Sequence, residues 1–114
     1  MIKEQPFHII VDIYFLTTQE GGRAESFAGG RKGFLFRPDN EEYRQEFGKK
    51  FNNHFFDSFI FPEKWIYPGE SVKRTKMYFM WPEGVLPFLT IGTKFMLWEG
   101  HPVARGVVVG IPED

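Results

Sequence analysis

The run Phe7-His8-Ile9-Ile10-Val11-Asp12-Ile13-Tyr14-Phe15-Leu16 constrains this chain more than any other stretch. Phe7, Ile9, Val11, Ile13 and Phe15 share one face of an extended backbone, and His8, Asp12 and Tyr14 share the other. Alternation with a period of two is the mark of a strand with one buried side, and β-branched and aromatic residues pack well on such a surface. Residues 7–16 therefore predict a long strand, and a sheet is needed to cover its apolar face.

The rest of the chain supplies that sheet. Residues 17–30 form a polar loop in which Gly21-Gly22 and Gly29-Gly30 tolerate positive φ. A second strand is expected over residues 31–37, around Phe34-Leu35-Phe36, until Pro38-Asp39-Asn40 breaks it. Asp39 or Asn40 can cap a short helical insertion over about residues 39–51, where Tyr43, Phe47 and Phe51 recur at four-residue spacing. Asn52-Asn53 reads as a turn and residues 55–61 as a third strand. Turns at 62–64 and 67–70 flank Trp65-Ile66, with Pro68-Gly69 in the order a type II turn favours. A fourth strand spans residues 72–81, polar at its start and apolar later, and Pro82-Glu83-Gly84 closes it. Pro87 interrupts residues 85–91, which suit a covering loop or an edge segment. Strands at 93–98 and 103–111 follow, separated by a turn at Glu99-Gly100, with Gly106 and Gly110 allowing bends. Six strands with turn punctuation predict an all-β fold, a barrel or a sandwich. Closure into a six-stranded antiparallel barrel removes long open edges.

Composition agrees. The 114 residues suffice for one domain with a genuine core, and 14 Phe, 3 Trp and 4 Tyr favour strands. A net charge of −1 gives no global reason to bind nucleic acid or an anionic membrane. Without cysteine there are no disulfides, thiolate metal sites or thiol nucleophiles. The polar start of the chain lacks a signal-peptide core, and no apolar run approaches the roughly 20 residues of a membrane helix. The expectation is a free-standing small cytoplasmic protein.

Motifs for catalysis are scarce. His8, His54 and His101 lie in different segments, and none has a metal partner two or four residues on, so they read as surface or strand-end residues. Ser26, Ser58 and Ser71 are not in a Gly-x-Ser-x-Gly elbow, and neither glycine-rich nucleotide fingerprint occurs. No cofactor and no nucleotide is expected for this chain alone. Glu41-Glu42 suits a solvated helical face.

Basic residues gather in two places: Arg23, Arg31 and Lys32 around the first loop, and Lys73, Arg74 and Lys76 on the fourth strand. Phosphate recognition uses such groups, with glycine-loop N–H donors assisting. The bland alternative is a solvated face that keeps a Phe-rich chain soluble. Phe55-Phe56 and Phe59 with Phe61 read as core, although so many Phe in a small barrel can leave some exposed as a protein-binding patch.

Four pieces of this pattern, in order, resemble the C-terminal barrel domain of elongation factor Tu. Residues 14–23, Tyr-Phe-Leu-Thr-Thr-Gln-Glu-Gly-Gly-Arg, contain that family's Glu-Gly-Gly-Arg, with Gly33-Phe34-Leu35-Phe36-Arg37 following. Tyr67-Pro68-Gly69-Glu70-Ser71-Val72-Lys73 is similar to its Met-Pro-Gly-Asp-Asn-Val-Lys. Residues 93–100 are similar to its Leu-Arg-Phe-Ala-Ile-Arg-Glu-Gly, and residues 103–108 to its Val-Gly-Ala-Gly-Val-Val. The resemblance implies a closed six-stranded antiparallel barrel that, in the family, helps hold the T stem of aminoacyl-tRNA and packs on the GTPase domain. Arg23 matches the family's Arg beside the tRNA backbone, and Glu99-Gly100 match the acid and glycine that meet the T stem. Other positions depart: Ala24 stands where the family has His, Gly33 where it has Gln, and residues 38–53 replace a Thr-rich turn.

The expected function is a non-catalytic binding module for a translation-machinery protein or RNA, acting through Arg23, Arg31, Lys32, Glu99 and Gly100. A stand-alone weak tRNA or RNA binder is the alternative, and an enzyme with an unrecognised site is the third class. Fold alone licenses none of them.

Overall fold

The computed structural model describes residues 7–23, 26, 29–47 and 54–112. Six antiparallel strands close into a barrel in the spatial order β1-β4-β3-β2-β5-β6. They are β1 (Ile9–Phe15), β2 (Lys32–Asp39), β3 (Phe56–Ile60), β4 (Ser71–Phe79), β5 (Lys94–Trp98) and β6 (Pro102–Gly110). The alternation that opens the sequence is realised residue by residue: Ile9, Val11, Ile13 and Phe15 are buried, and Ile10, Asp12 and Tyr14 between them are only half-buried.

Aromatic rings fill the interior. Phe36 sits at its centre, edge-on to Phe79 at 4.9 Å and stacked on Phe95 at 4.7 Å between centroids. Such pairs contribute about 0.5–1.5 kcal/mol beyond the area they bury. The buried polar residue of β3, Ser58, donates its hydroxyl to the Phe34 carbonyl oxygen at 2.9 Å and so has its own hydrogen-bonding need met.

Helices cover one end of the barrel. Asn40 rather than Asp39 caps α1 (Glu41–Phe47), its Oδ1 accepting the Tyr43 N–H at 2.9 Å, while Asp39 belongs to β2. The expected continuation of this helix towards Lys50, with Phe51 and the Asn52-Asn53 turn, lies outside the described residues. Tyr43 is buried against Phe47 and donates its hydroxyl to the His54 carbonyl oxygen. The second cover corrects the sequence reading. Pro82-Glu83-Gly84 is no simple turn but most of α2 (Pro82–Val85), followed by a 3-10 turn (Leu86–Phe88). Pro82 suits the first helical turn because the N–H it lacks would have no partner there. Residues 85–91 thus cover the barrel and add no edge strand.

Pro38 is the other correction, since β2 runs through it and pairs it with Phe95. The β2–β3 ladder stops at Phe36–Phe56, so past that point β3 makes no demand on the N–H that proline lacks.

Candidate functional site at the loop end

Strand direction puts the β1–β2 loop, the β3–β4 loop and the β5–β6 turn together at the end opposite the helices. All five residues named from the sequence lie there. Their neighbourhood is built by backbone hydrogen bonds. Phe15 N–H donates to the Glu70 carbonyl oxygen at 2.9 Å, Gly69 N–H to that of Phe15 at 2.8 Å, and Gly30 N–H to that of Pro62 at 2.8 Å. The loops are thereby knitted to each other and to β1.

Glu-Gly-Gly-Arg divides its labour within this frame. Glu20 turns back on its own strand: its carboxylate accepts the Tyr14 hydroxyl at 2.7 Å and the Thr17 N–H at 2.8 Å. Those bonds, the Tyr14 one foremost, hold the Glu20 carboxyl below the usual range and push the Tyr14 phenol up. Gly21 adopts φ +89, a conformation L side chains rarely take. Gly22 answers a different need, since a Cβ there would lie 2.4 Å from the Leu16 carbonyl oxygen. Arg23 instead reaches across to the β5–β6 turn. Its Nη1 lies 3.3 Å from Glu99 Oε1, and both side chains keep partial exposure, 28% and 39%. Gly100 beside it supplies the turn with φ +78.

The structure brings Arg23, Glu99 and Gly100 into one corner. The Arg31 guanidinium instead covers the Phe59 ring, 4.6 Å from its centroid, and Lys32 opens β2 opposite Ile60. Phe59 is buried from outside the barrel as well, stacked on Tyr78 at 5.4 Å, with Phe61 edge-on to both rings. Phe56 is core as expected and Phe59 is buried on the outer face, whereas Phe61 is half exposed.

Sequence reasoning missed the aromatic rim of the β3–β4 loop. Phe61, Trp65 and Tyr67 are 50%, 56% and 57% exposed. The available signal was position: Phe61 and Tyr67 stand beside Pro62 and Pro68, and Trp65 lies between the turns at 62–64 and 67–70.

The histidines lie apart. His8, at the helical end, accepts the Phe79 N–H on Nδ1 at 2.9 Å, and burial lowers its pKa from 6.5. His54 stacks on Phe47 at 4.2 Å, and His101 belongs to the β5–β6 turn. Among the described residues no group of three or more His, Asp or Glu is placed to hold a metal, and no helix is long and apolar enough to cross a membrane.

Neither the protein-family models nor the curated proteins include a match to this chain.

Proposed function

We propose that the protein is a non-catalytic binding module, that its binding surface is the loop end of the barrel, and that its partner is a protein of the translation machinery. The observation that carries this is the Arg23–Glu99 pair at 3.3 Å. Its members occupy the two places where the resemblance to the elongation factor Tu barrel expects contacts, and they come together at the end the helices leave uncovered. A barrel interior occupied by Phe36, Phe79 and Phe95 supports a role that uses the outer surface.

Charge favours protein over RNA. Arg23 is paired with Glu99, Arg31 lies on Phe59, and Glu20, Glu63, Glu70 and Glu99 share the loops with the cations. A surface that tracks phosphates needs a joined field of one sign. The exposed rings of Phe61, Trp65 and Tyr67 suit a protein interface, where aromatic residues are enriched.

The test is a gel-mobility assay with unmodified tRNA over a salt series. No retarded tRNA is expected at low ionic strength. A shifted band whose log affinity falls linearly with log salt would transfer the function to RNA.

A further inference from the structure

The ladders of the closed barrel are unequal. β1 follows β4 from Met77 to Ser71, but β3 meets β4 only through Ser58–Phe79 and Phe59–Tyr78. After β3 the chain departs at Pro62, which has no N–H to extend a ladder and whose carbonyl oxygen accepts from Gly30 instead. Residues 72–77 of β4 therefore have no partner in β3. A groove of about 1130 Å³ lies along this seam, lined by Phe61, Lys64, Trp65, Lys73, Arg74 and Lys76 among others.

We propose that this groove takes an extended acidic segment of a partner protein, added as a further strand along the open edge of β4. The inference rests on the binding-module reading and names the partner's chemistry. A strand edge with unpaired backbone groups is a template for an incoming strand, which gains main-chain hydrogen bonds there and specificity from alternate side-chain pockets. Charge selects which strand. Four cations line the groove against two acids, Glu63 and Glu70, and the Glu70 carboxylate already accepts the Tyr67 N–H at 2.7 Å. Of the four cations, among the described residues only Lys73 has a carboxylate near it, Asp12 at 3.9 Å. Phe61 and Trp65 offer half-exposed rings to apolar side chains of the incoming strand.

The edge is also shaped. Opposite Asp12 the register slips, so that Lys73 and Arg74 face one residue of β1, and Arg74 takes φ +52. Such a bulge bends its strand and re-aims side chains. Single-stranded RNA could use the cations and the rings, but not the backbone edge, so an extended peptide fits more of the site.

The experiment follows backbone amide resonances of the full chain during titration with a capped synthetic peptide of alternating valine and glutamate. Shifts centred on residues 61–66 and 72–77 are expected, with affinity about tenfold weaker in Lys73→Ala/Lys76→Ala through the loss of two charge contacts. N-methylating the peptide on alternate residues removes its ladder donors and is expected to abolish binding. The inference is overturned by any of four results: no shifts at the seam, equal binding of a valine–lysine peptide, equal binding of the N-methylated peptide, or occupation of the seam by an oligouridylate in place of the peptide. Shifts that grow with protein concentration alone would give the edge to a second copy of the chain and also overturn it. A chain that still captures a protein partner but ignores the peptide loses this inference and keeps the broader function.

Discussion

Asp12 Oδ1 accepts the backbone N–H of Arg74 at 2.8 Å, and so holds a non-glycine residue at φ +52 in the middle of a strand. A left-handed conformation costs an L residue roughly 1–2 kcal/mol, and the carboxylate contact offsets part of that. Asp12→Ala is expected to lower stability by about 1–2 kcal/mol in urea unfolding. Arg74→Gly relieves the same strain without touching Asp12, and is expected to be neutral or slightly stabilising.

His8 gives the fold a pH dependence with a definite sign. Burial lowers its pKa in the folded chain below the ordinary 6.5, against a smaller opposing pull from the Glu83 carboxylate, and its Nδ1 accepts a hydrogen bond from the Phe79 N–H. The unfolded state then binds more protons between the two values, so stability is complete above pH 6.5 and declines as pH falls through the folded pKa. His8→Ala is expected to flatten that decline and to cost about 1–3 kcal/mol at higher pH, by leaving the Phe79 N–H without its acceptor. Denaturant midpoints measured across the acidic range check both effects.

The two glycines of Glu-Gly-Gly-Arg fail differently. Gly21→Ala meets no atom within 4 Å and bears only the cost of positive φ, roughly 1 kcal/mol. Gly22→Ala drives a methyl against the backbone of Leu16, where nothing can rotate away, so a larger loss of about 1–3 kcal/mol is expected. Thermal unfolding of the two variants side by side ranks them.

Asn40 joins the two helical covers. Its Oδ1 caps α1 and its Nδ2 donates to the Phe88 carbonyl oxygen at 2.5 Å. Asn40→Ala is expected to cost about 1–2 kcal/mol and to raise hydrogen exchange in α1 and in residues 85–89 together. Exchange that rises in α1 alone would show that the covers open independently.

The barrel was legible because its strands carry local signals. Residues 7–16 alternate cleanly, and the Pro68-Gly69 turn forms as its residues require, with Gly69 at φ +90 and the Glu70 N–H donating to the Tyr67 carbonyl oxygen at 3.0 Å. Pro38 misled because its tolerance depends on where a neighbouring ladder stops, which is a tertiary fact. Pro82-Glu83-Gly84 misled because a proline at a helix start and a proline in a turn look alike over three residues. Within the site, Arg23 and Glu99 were named separately from the resemblance, and only the strand order makes them neighbours. The seam beside β4 had no local signature, since it comes from a pairing between β3 and β4 that ends early.

Affinity capture from the native cell lysate tests the central claim most directly. It compares the wild-type chain, Arg23→Ala/Glu99→Ala at the loop end, and Glu41→Ala/Glu42→Ala on the exposed face of α1, each with and without ribonuclease. The account predicts a protein partner that survives the nuclease, stays with the α1 variant and is lost with the loop-end variant. Loss of every partner to ribonuclease, or a partner retained by the loop-end variant and lost by the α1 variant, would contradict it.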